Sequence, residues 1–206
     1  QADVSKNGTV KLNGTILKSV KNPIIEVNLE DNQSGKTSYV KDVITAVSNK
    51  YHYAKINLVG HSMGNLQIAN YINENYNNKK LPQINKVVSI AGHYDGYLGE
   101  EAGQKAKIKN KETGQPDIYS DGFKKLLPLR KHYPKQIEVL NIYGNKKDGS
   151  NSDGSVSVAS AQSYKYLING RAKSYREVEI KGKNAQHSKL HENKEVDRLL
   201  IDFLWK

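Results

Sequence analysis

The stretch that decides the fold is Ala54-Lys55-Ile56-Asn57-Leu58-Val59-Gly60-His61-Ser62-Met63-Gly64. Its first seven residues are largely apolar and end in glycine, which reads as a strand. Beyond Gly64, the residues Leu66, Ile68, Ala69 and Ile72 fall at helical spacing, so a helix is expected over 64–76. Between strand and helix stands Gly60-x-Ser62-x-Gly64. A serine on so sharp a turn takes a strained backbone, and the turn lifts its Oγ above the sheet. The helix start favours negative charge beside it, and the amide of Met63 points to where an oxyanion would form. Five residues of this kind are a weak signal by themselves, because Gly and Ser are common. Their position between strand and helix makes Ser62 a candidate nucleophile.

The same alternation runs outward from this point. Upstream, 9–17 reads as a hairpin turning at Asn13-Gly14, 23–29 as a short strand and 38–51 as a helix. Downstream, 86–91 reads as a strand, and 92–121 is polar with little periodicity. Then come a short helix at 123–129, a strand at 137–143, a loop at 144–155 and a helix at 157–169. A strand at 174–180, a loop at 181–188 and an amphipathic helix at 192–205 complete the chain. Strands separated by helices predict an α/β fold with a mostly parallel sheet and helices on both faces. In such sheets chemistry gathers at the carboxyl ends of the strands.

A nucleophilic serine needs a base, and the base needs an orienting acid. Where a serine of this kind leads, the acid and then the histidine follow it along the chain. Of six histidines, only His187 and His191 come after every strand. His187 lies in the loop after the last strand, and His191 at the start of the final helix, so His187 is favoured. The loop at 144–155 offers Asp148 and Asp153. Asp148 sits among Lys146, Lys147 and Gly149 and reads as solvated, so Asp153 is favoured. Asp95, after the strand at 86–91, is its rival.

The composition narrows the classes. The chain has 206 residues, the length of one domain, and no cysteine, which excludes disulfides, thiolate metal sites and a cysteine nucleophile. No apolar run approaches the roughly 18 residues that span a membrane, and no signal peptide is visible. The net charge is +11, which favours anionic partners and says nothing about fold. Asp148-Gly149-Ser150-Asn151-Ser152-Asp153 is similar to a calcium loop, but it lacks acid or amide at the third and fifth positions, and Ala159 stands at the twelfth. No metal or cofactor is therefore expected. Lys105, Lys107, Lys109 and Lys111 read as a solvated face. The 13 tyrosines are scattered without a nucleic-acid motif, so no nucleic acid is expected.

Several motifs resemble a known family. Gly60-His61-Ser62-Met63-Gly64-Asn65 resembles the lipase and esterase turn of the α/β-hydrolase superfamily. Asp153-Gly154-Ser155-Val156 resembles the segment holding the acid in bacterial lipases, and His187-Ser188-Lys189-Leu190-His191-Glu192-Asn193 the tail holding the histidine. Together with Asn22-Pro23-Ile24-Ile25, Tyr51-His52-Tyr53 and Ser89-Ile90-Ala91-Gly92-His93, these resemble a family of cell-surface α/β-hydrolases of Gram-positive bacteria, domain of unknown function 915. The resemblance implies one α/β-hydrolase domain over 1–206, with 92–133 as a cap. It implies a serine hydrolase of carboxylic esters, with Ser62, Asp153 and His187 as the catalytic set and Met63 in the oxyanion hole. Amide or thioester cleavage, or a non-catalytic module holding anionic cell-surface polymers, are the alternatives. The family also has an early strand ending in a His-Gly loop that gives a second oxyanion amide. This sequence has no His-Gly, so it reads as N-terminally incomplete, with one edge of the sheet left open. The polar 92–133 segment favours small-molecule or lipid-like esters of small or moderate size over long-chain triglycerides. An extracytoplasmic location follows from the same resemblance.

Overall fold

The structure is a computed structural model that describes residues 1–31 and 36–206. The chain opens with three strands of three residues each, β1 (Ala2–Val4), β2 (Val10–Leu12) and β3 (Val27–Leu29). Helix α1 (Ser38–Tyr51), strand β4 (Lys55–His61), helix α2 (Met63–Asn75) and strand β5 (Gln83–Ile90) follow. A stretch of small elements comes next: α3 (Glu101–Lys105), β6 (Ile108–Asn110), β7 (Gln115–Pro116), α4 (Asp121–Leu126) and α5 (Leu129–His132). Strand β8 (Glu138–Asn145), helices α6 (Val158–Gln162) and α7 (Tyr164–Ile168) and strand β9 (Ser174–Lys181) precede two 3-10 turns, Lys183–Ala185 and His187–Glu192, and helix α8 (Lys194–Trp205).

The main sheet has the order β4-β5-β8-β9, and every pair in it is parallel. Parallel strands joined by helical crossovers are covered on both faces, so the inner strands β5 and β8 carry consecutive buried apolar residues such as Val87-Val88 and Val139-Leu140. Neighbouring residues therefore serve opposite layers. Val87 and Val139 pack with Ile68 and Ile72 of α2 and with Leu167 and Ile168 of α7. Val88, Leu140 and Ile142 pack with Val196 of α8 on the other side. This is an α/β fold with a parallel sheet and helices on both faces, as the alternation predicted.

The first 31 residues differ from the expectation. The hairpin turns between Ser5 and Thr9, where the Gly8 N–H donates to the Ser5 carbonyl and Gly8 takes a φ of +90°. β1 and β2 form its arms. Asn13-Gly14 lies beyond it, and the Asn13 N–H donates back to the Gln1 carbonyl. Leu17, expected in the second arm of a turn at Asn13-Gly14, lies outside any strand and is largely exposed. The strand expected over 23–29 shortens to Val27–Leu29 and pairs parallel with β1. The helix expected over 157–169 breaks at Ser163, whose Oγ donates to the Ser160 carbonyl and so competes with the helical ladder. The polar section after β5 is not featureless. It carries α3 to α5, and Phe123, Leu126, Leu129 and Tyr133 from it are fully buried in the α2 layer.

β4 is an edge strand of the main sheet, and β3 an edge strand of the small one. The two lie across a groove of about 580 Å³, lined by Val27, Leu29, Val43, Ile44, Leu58 and Val59 and reaching Ser62. Among the described residues, β4 pairs only with β5.

Candidate active site

The site is built at the carboxyl end of the parallel strands. β4 delivers Gly60 and His61, and α2 begins at Met63, so Ser62 carries the whole change of direction. Its backbone sits at φ 51° and ψ −122°, a strained position for a residue with a side chain. Three bonds hold it there. The Ser62 N–H donates to the Ile90 carbonyl at 2.9 Å. The Asn65 side-chain amide donates to the same Ile90 carbonyl at 2.8 Å and to the Ser62 carbonyl at 3.2 Å. Gly60 is required by this packing: a Cβ there would lie 2.6 Å from the Asn65 Oδ1.

The loop after β8 brings in Asp153, and the turn after β9 brings in His187. The Asp153 side chain is 1% exposed and the His187 side chain 13%. His187 Nδ1 lies 2.8 Å from Asp153 Oδ2, and His187 Nε2 lies 2.9 Å from Ser62 Oγ. The other carboxylate oxygen of Asp153 accepts the N–H groups of Ser155 at 2.8 Å and Val156 at 2.7 Å. The backbone fixes the same pair again, because the His187 N–H donates to the Asp153 carbonyl at 3.0 Å. Ser62, Asp153 and His187 thus form one continuous chain of hydrogen bonds.

The family model described as "Alpha/beta hydrolase of unknown function (DUF915)" matches residues 1–206. The chain belongs to this α/β-hydrolase family. Two solved structures share its fold. The product of a Listeria innocua gene superposes with a TM-score of 0.90 at 24% identity, over 100% of this chain and 80% of its own. A presumptive cell surface hydrolase of Lactobacillus plantarum superposes with a TM-score of 0.78 at 24% identity, over 98% of this chain and 77% of its own. No curated protein matches the sequence.

Within this α/β-hydrolase the rival candidates have other partners. Asp95 is buried, but its Oδ1 accepts the Ser120 N–H at 2.7 Å and its Oδ2 has no partner. Burial raises the pKa of its carboxyl against the Ser120 bonds. Asp95 therefore ties the segment after β5 to the start of α4. Asp148 is on the surface, paired with Lys146 at 2.8 Å, and that bond leads in holding its carboxyl below the usual range. His191 lies in a 3-10 turn, and its ring meets His61 edge-on with centroids 4.8 Å apart. Among the Lys105–Lys111 series, Lys105 pairs with Glu101 along α3.

Two histidines of the site escaped sequence reasoning. His61 occupies the variable position of the serine turn. Its Nε2–H donates to the His187 carbonyl at 3.1 Å, and its ring lies 4.9 Å from that of His187. Burial leads in lowering its pKa. His93, just past β5, is 7% exposed, and its Nδ1 has no partner. Burial, then the nearby His187, push its pKa down to about 4, with Asp153 opposing. Nothing in residue type or spacing marks these two. Their significance lies in groups brought to them from 60 or more residues away along the chain.

Proposed function

We propose that this protein is a serine hydrolase that cleaves carboxylic esters through an acyl-enzyme. The observation that supports this most is that His187 lies within hydrogen-bonding distance of both Ser62 Oγ and Asp153. In this reading Ser62 Oγ attacks the ester carbonyl carbon while His187 Nε2 takes its proton. The tetrahedral oxyanion is held by the Met63 N–H at the start of α2. The C–O bond to the alcohol breaks as His187 returns the proton to the leaving oxygen. Water then attacks the acyl-enzyme, with His187 as base, and frees the acid. Asp153 fixes the Nδ1–H tautomer and stabilises the imidazolium.

Residues 92–133 are the cap in this reading. Its exposed residues, Tyr97 among them, are free to shape the entrance, whereas Tyr94, Phe123, Leu126, Leu129 and Tyr133 are buried in the core. The Leu98 N–H donates to the Ser155 carbonyl at 2.8 Å, which ties the cap to the loop of the acid. Its polar surface suits small or moderate esters. The same three side chains would serve amide or thioester cleavage. The name of the Lactobacillus relative is consistent with an extracytoplasmic setting, and no helix among the described residues is long and apolar enough to cross a membrane.

A fluorophosphonate probe tests this directly. It should label the wild-type protein at Ser62 at neutral pH, and Ser62→Ala should not be labelled. A folded wild-type protein that resists the probe and hydrolyses no ester of a graded acyl series would overturn the assignment.

A further inference from the structure

The second large cavity lies at the opposite end of the sheet from Ser62. Its lining includes Ala54 before β4, Gln83 at the start of β5, Gln136 before β8 and Arg171 before β9. These mark the amino ends of the parallel strands, whereas Ser62 follows a carboxyl end. The cavity volume is about 630 Å³. No Asp or Glu lines it among the described residues, while Lys79 and Arg171 do.

Arg171 is the unusual member. It makes no ion pair among the described residues, and its Nε is buried without a hydrogen-bond partner. A buried donor of a charged group left unpaired costs free energy, and such groups in folded proteins are normally matched by a partner, a water or an ion. Guanidinium nitrogens form a planar fork that fits two oxygens of one oxyanion. A carboxylate side chain would be the usual partner, but the cavity wall offers none.

The rest of the wall suggests what carries the oxyanion. Tyr76 stacks on His132 with centroids 4.0 Å apart and planes 9° apart, and Tyr76 is about half exposed. His132 is held from behind by its Nε2 bond to Asn73 at 2.7 Å. The pair is a fixed aromatic shelf of the kind that packs against the C–H face of a polyol or sugar. Asn77, Asn78 and Gln83 add amide groups suited to hydroxyls. The volume far exceeds that of one phosphate group. The overall charge of +11 draws anions toward the surface without choosing among them.

We propose that this cavity binds a phosphate ester carried on a polyol or sugar, with the phosphate on Arg171 and Lys79 and the organic part on the Tyr76 ring. It is a binding site remote from Ser62, so it stands apart from the hydrolytic reading.

The test is a titration of ¹⁵N-labelled protein with glycerol 1-phosphate, inorganic phosphate and glycerol, with ionic strength held constant by chloride. Glycerol 1-phosphate should shift the Arg171 Nε–H resonance in a saturable way and bind more tightly than inorganic phosphate. Glycerol alone should do little. Arg171→Gln should weaken the ester by about tenfold or more, the loss expected of a charge-assisted bond. Lys79→Gln, at an exposed position, should weaken it less and guards against misfolding of the first variant. Chloride reproducing the shift, or Arg171→Gln binding the ester as wild type does, would overturn the site. Inorganic phosphate binding as tightly as the ester would overturn its polyol part.

Discussion

His61 and His187 are joined twice: the Nε2–H of His61 donates to the backbone carbonyl of His187 at 3.1 Å, and their rings lie 4.9 Å apart. His61 is the residue immediately before Ser62. The bond therefore ties the strand that aims the candidate nucleophile to the turn that aims the candidate base. Because the acceptor is a carbonyl, His61 must carry its proton on Nε2 in this bond. A lowered pKa keeps it neutral and leaves no charge competing with an imidazolium on His187.

A panel at His61 separates the bond from the ring packing. Gln places an amide N–H near the position of Nε2, so His61→Gln should keep most of the ester hydrolysis. Phe keeps the ring and loses the donor, so His61→Phe should lower kcat about tenfold or more with KM little changed, as expected from a misplaced base. Steady-state kinetics on the two variants, with melting temperatures beside them, decide the point. Equal kcat values for Phe and wild type would show that the bond positions nothing.

Asp153→Asn tests the role of the acid without emptying its site. The Asn carbonyl oxygen can still accept from the Ser155 and Val156 N–H groups. Its amide, however, presents a donor to His187 Nδ1 and favours the tautomer with the proton on Nε2, which cannot accept from Ser62. The expected loss is about 10³–10⁴ in kcat, by analogy with serine proteases in which the equivalent change was made. Fluorophosphonate labelling should slow in parallel while the unfolding midpoint moves little. A variant that labels at the wild-type rate would remove Asp153 from the mechanism.

The candidate site was more legible in the sequence than the surroundings that hold it. Ser62 is readable because the chemistry needs a short strand, a sharp turn and a helix in immediate succession, all of which are local. Asp153 and His187 are readable because each follows a strand whose apolar run is clear. The amino-terminal strands are three residues long, too short for a period of two to register, and their partners were settled by burial of Ala2 and Val4 against Tyr39 and Val43 of α1. The Asn13-Gly14 pair is a valid local signal that lost to this non-local gain. His61 and His93 have no local signature at all, since what distinguishes them is a carbonyl or a charge contributed from far along the chain.

His93 gives the stability of the fold a pH dependence. Its pKa is about 4 in the folded chain, against about 6.5 for a free histidine. The unfolded chain therefore binds the proton more readily than the folded one between these values. Stability rises with pH where the unfolded state holds more protons, so this contribution is present above about pH 6.5 and is lost as the pH falls toward 4. The lowered pKa of His61 acts in the same direction. The raised pKa of Asp95 acts in the opposite one, favouring the folded state as its carboxyl protonates. A shift of this size corresponds to a loss of on the order of 3 kcal/mol for His93 alone. Urea unfolding at pH 7 and pH 4.5 measures it. His93→Gln should flatten the difference, and an unchanged slope in that variant would assign the acid sensitivity elsewhere.

The open edge of β4 predicts how the protein behaves in concentrated solution. Val59 and Val27 flank the groove and are 47% and 46% exposed, and β4 has no ladder partner on that side among the described residues. An apolar strand edge of this kind is a template for pairing with another chain. A net charge of +11 works against self-association, but only over a screening length that falls from about 10 Å at 0.1 M salt to about 3 Å at 1 M. Repulsion therefore fades with salt while apolar contact and backbone pairing remain. Self-association should increase as salt is raised, the reverse of what an ion-paired interface would show. Val59→Lys places a charge on the edge at a half-exposed position, so it should suppress the association with little effect on folding. Sedimentation velocity across a salt series measures both effects. A protein that stays monomeric at high salt, or a Val59→Lys variant that associates as wild type does, would show that the edge is already protected.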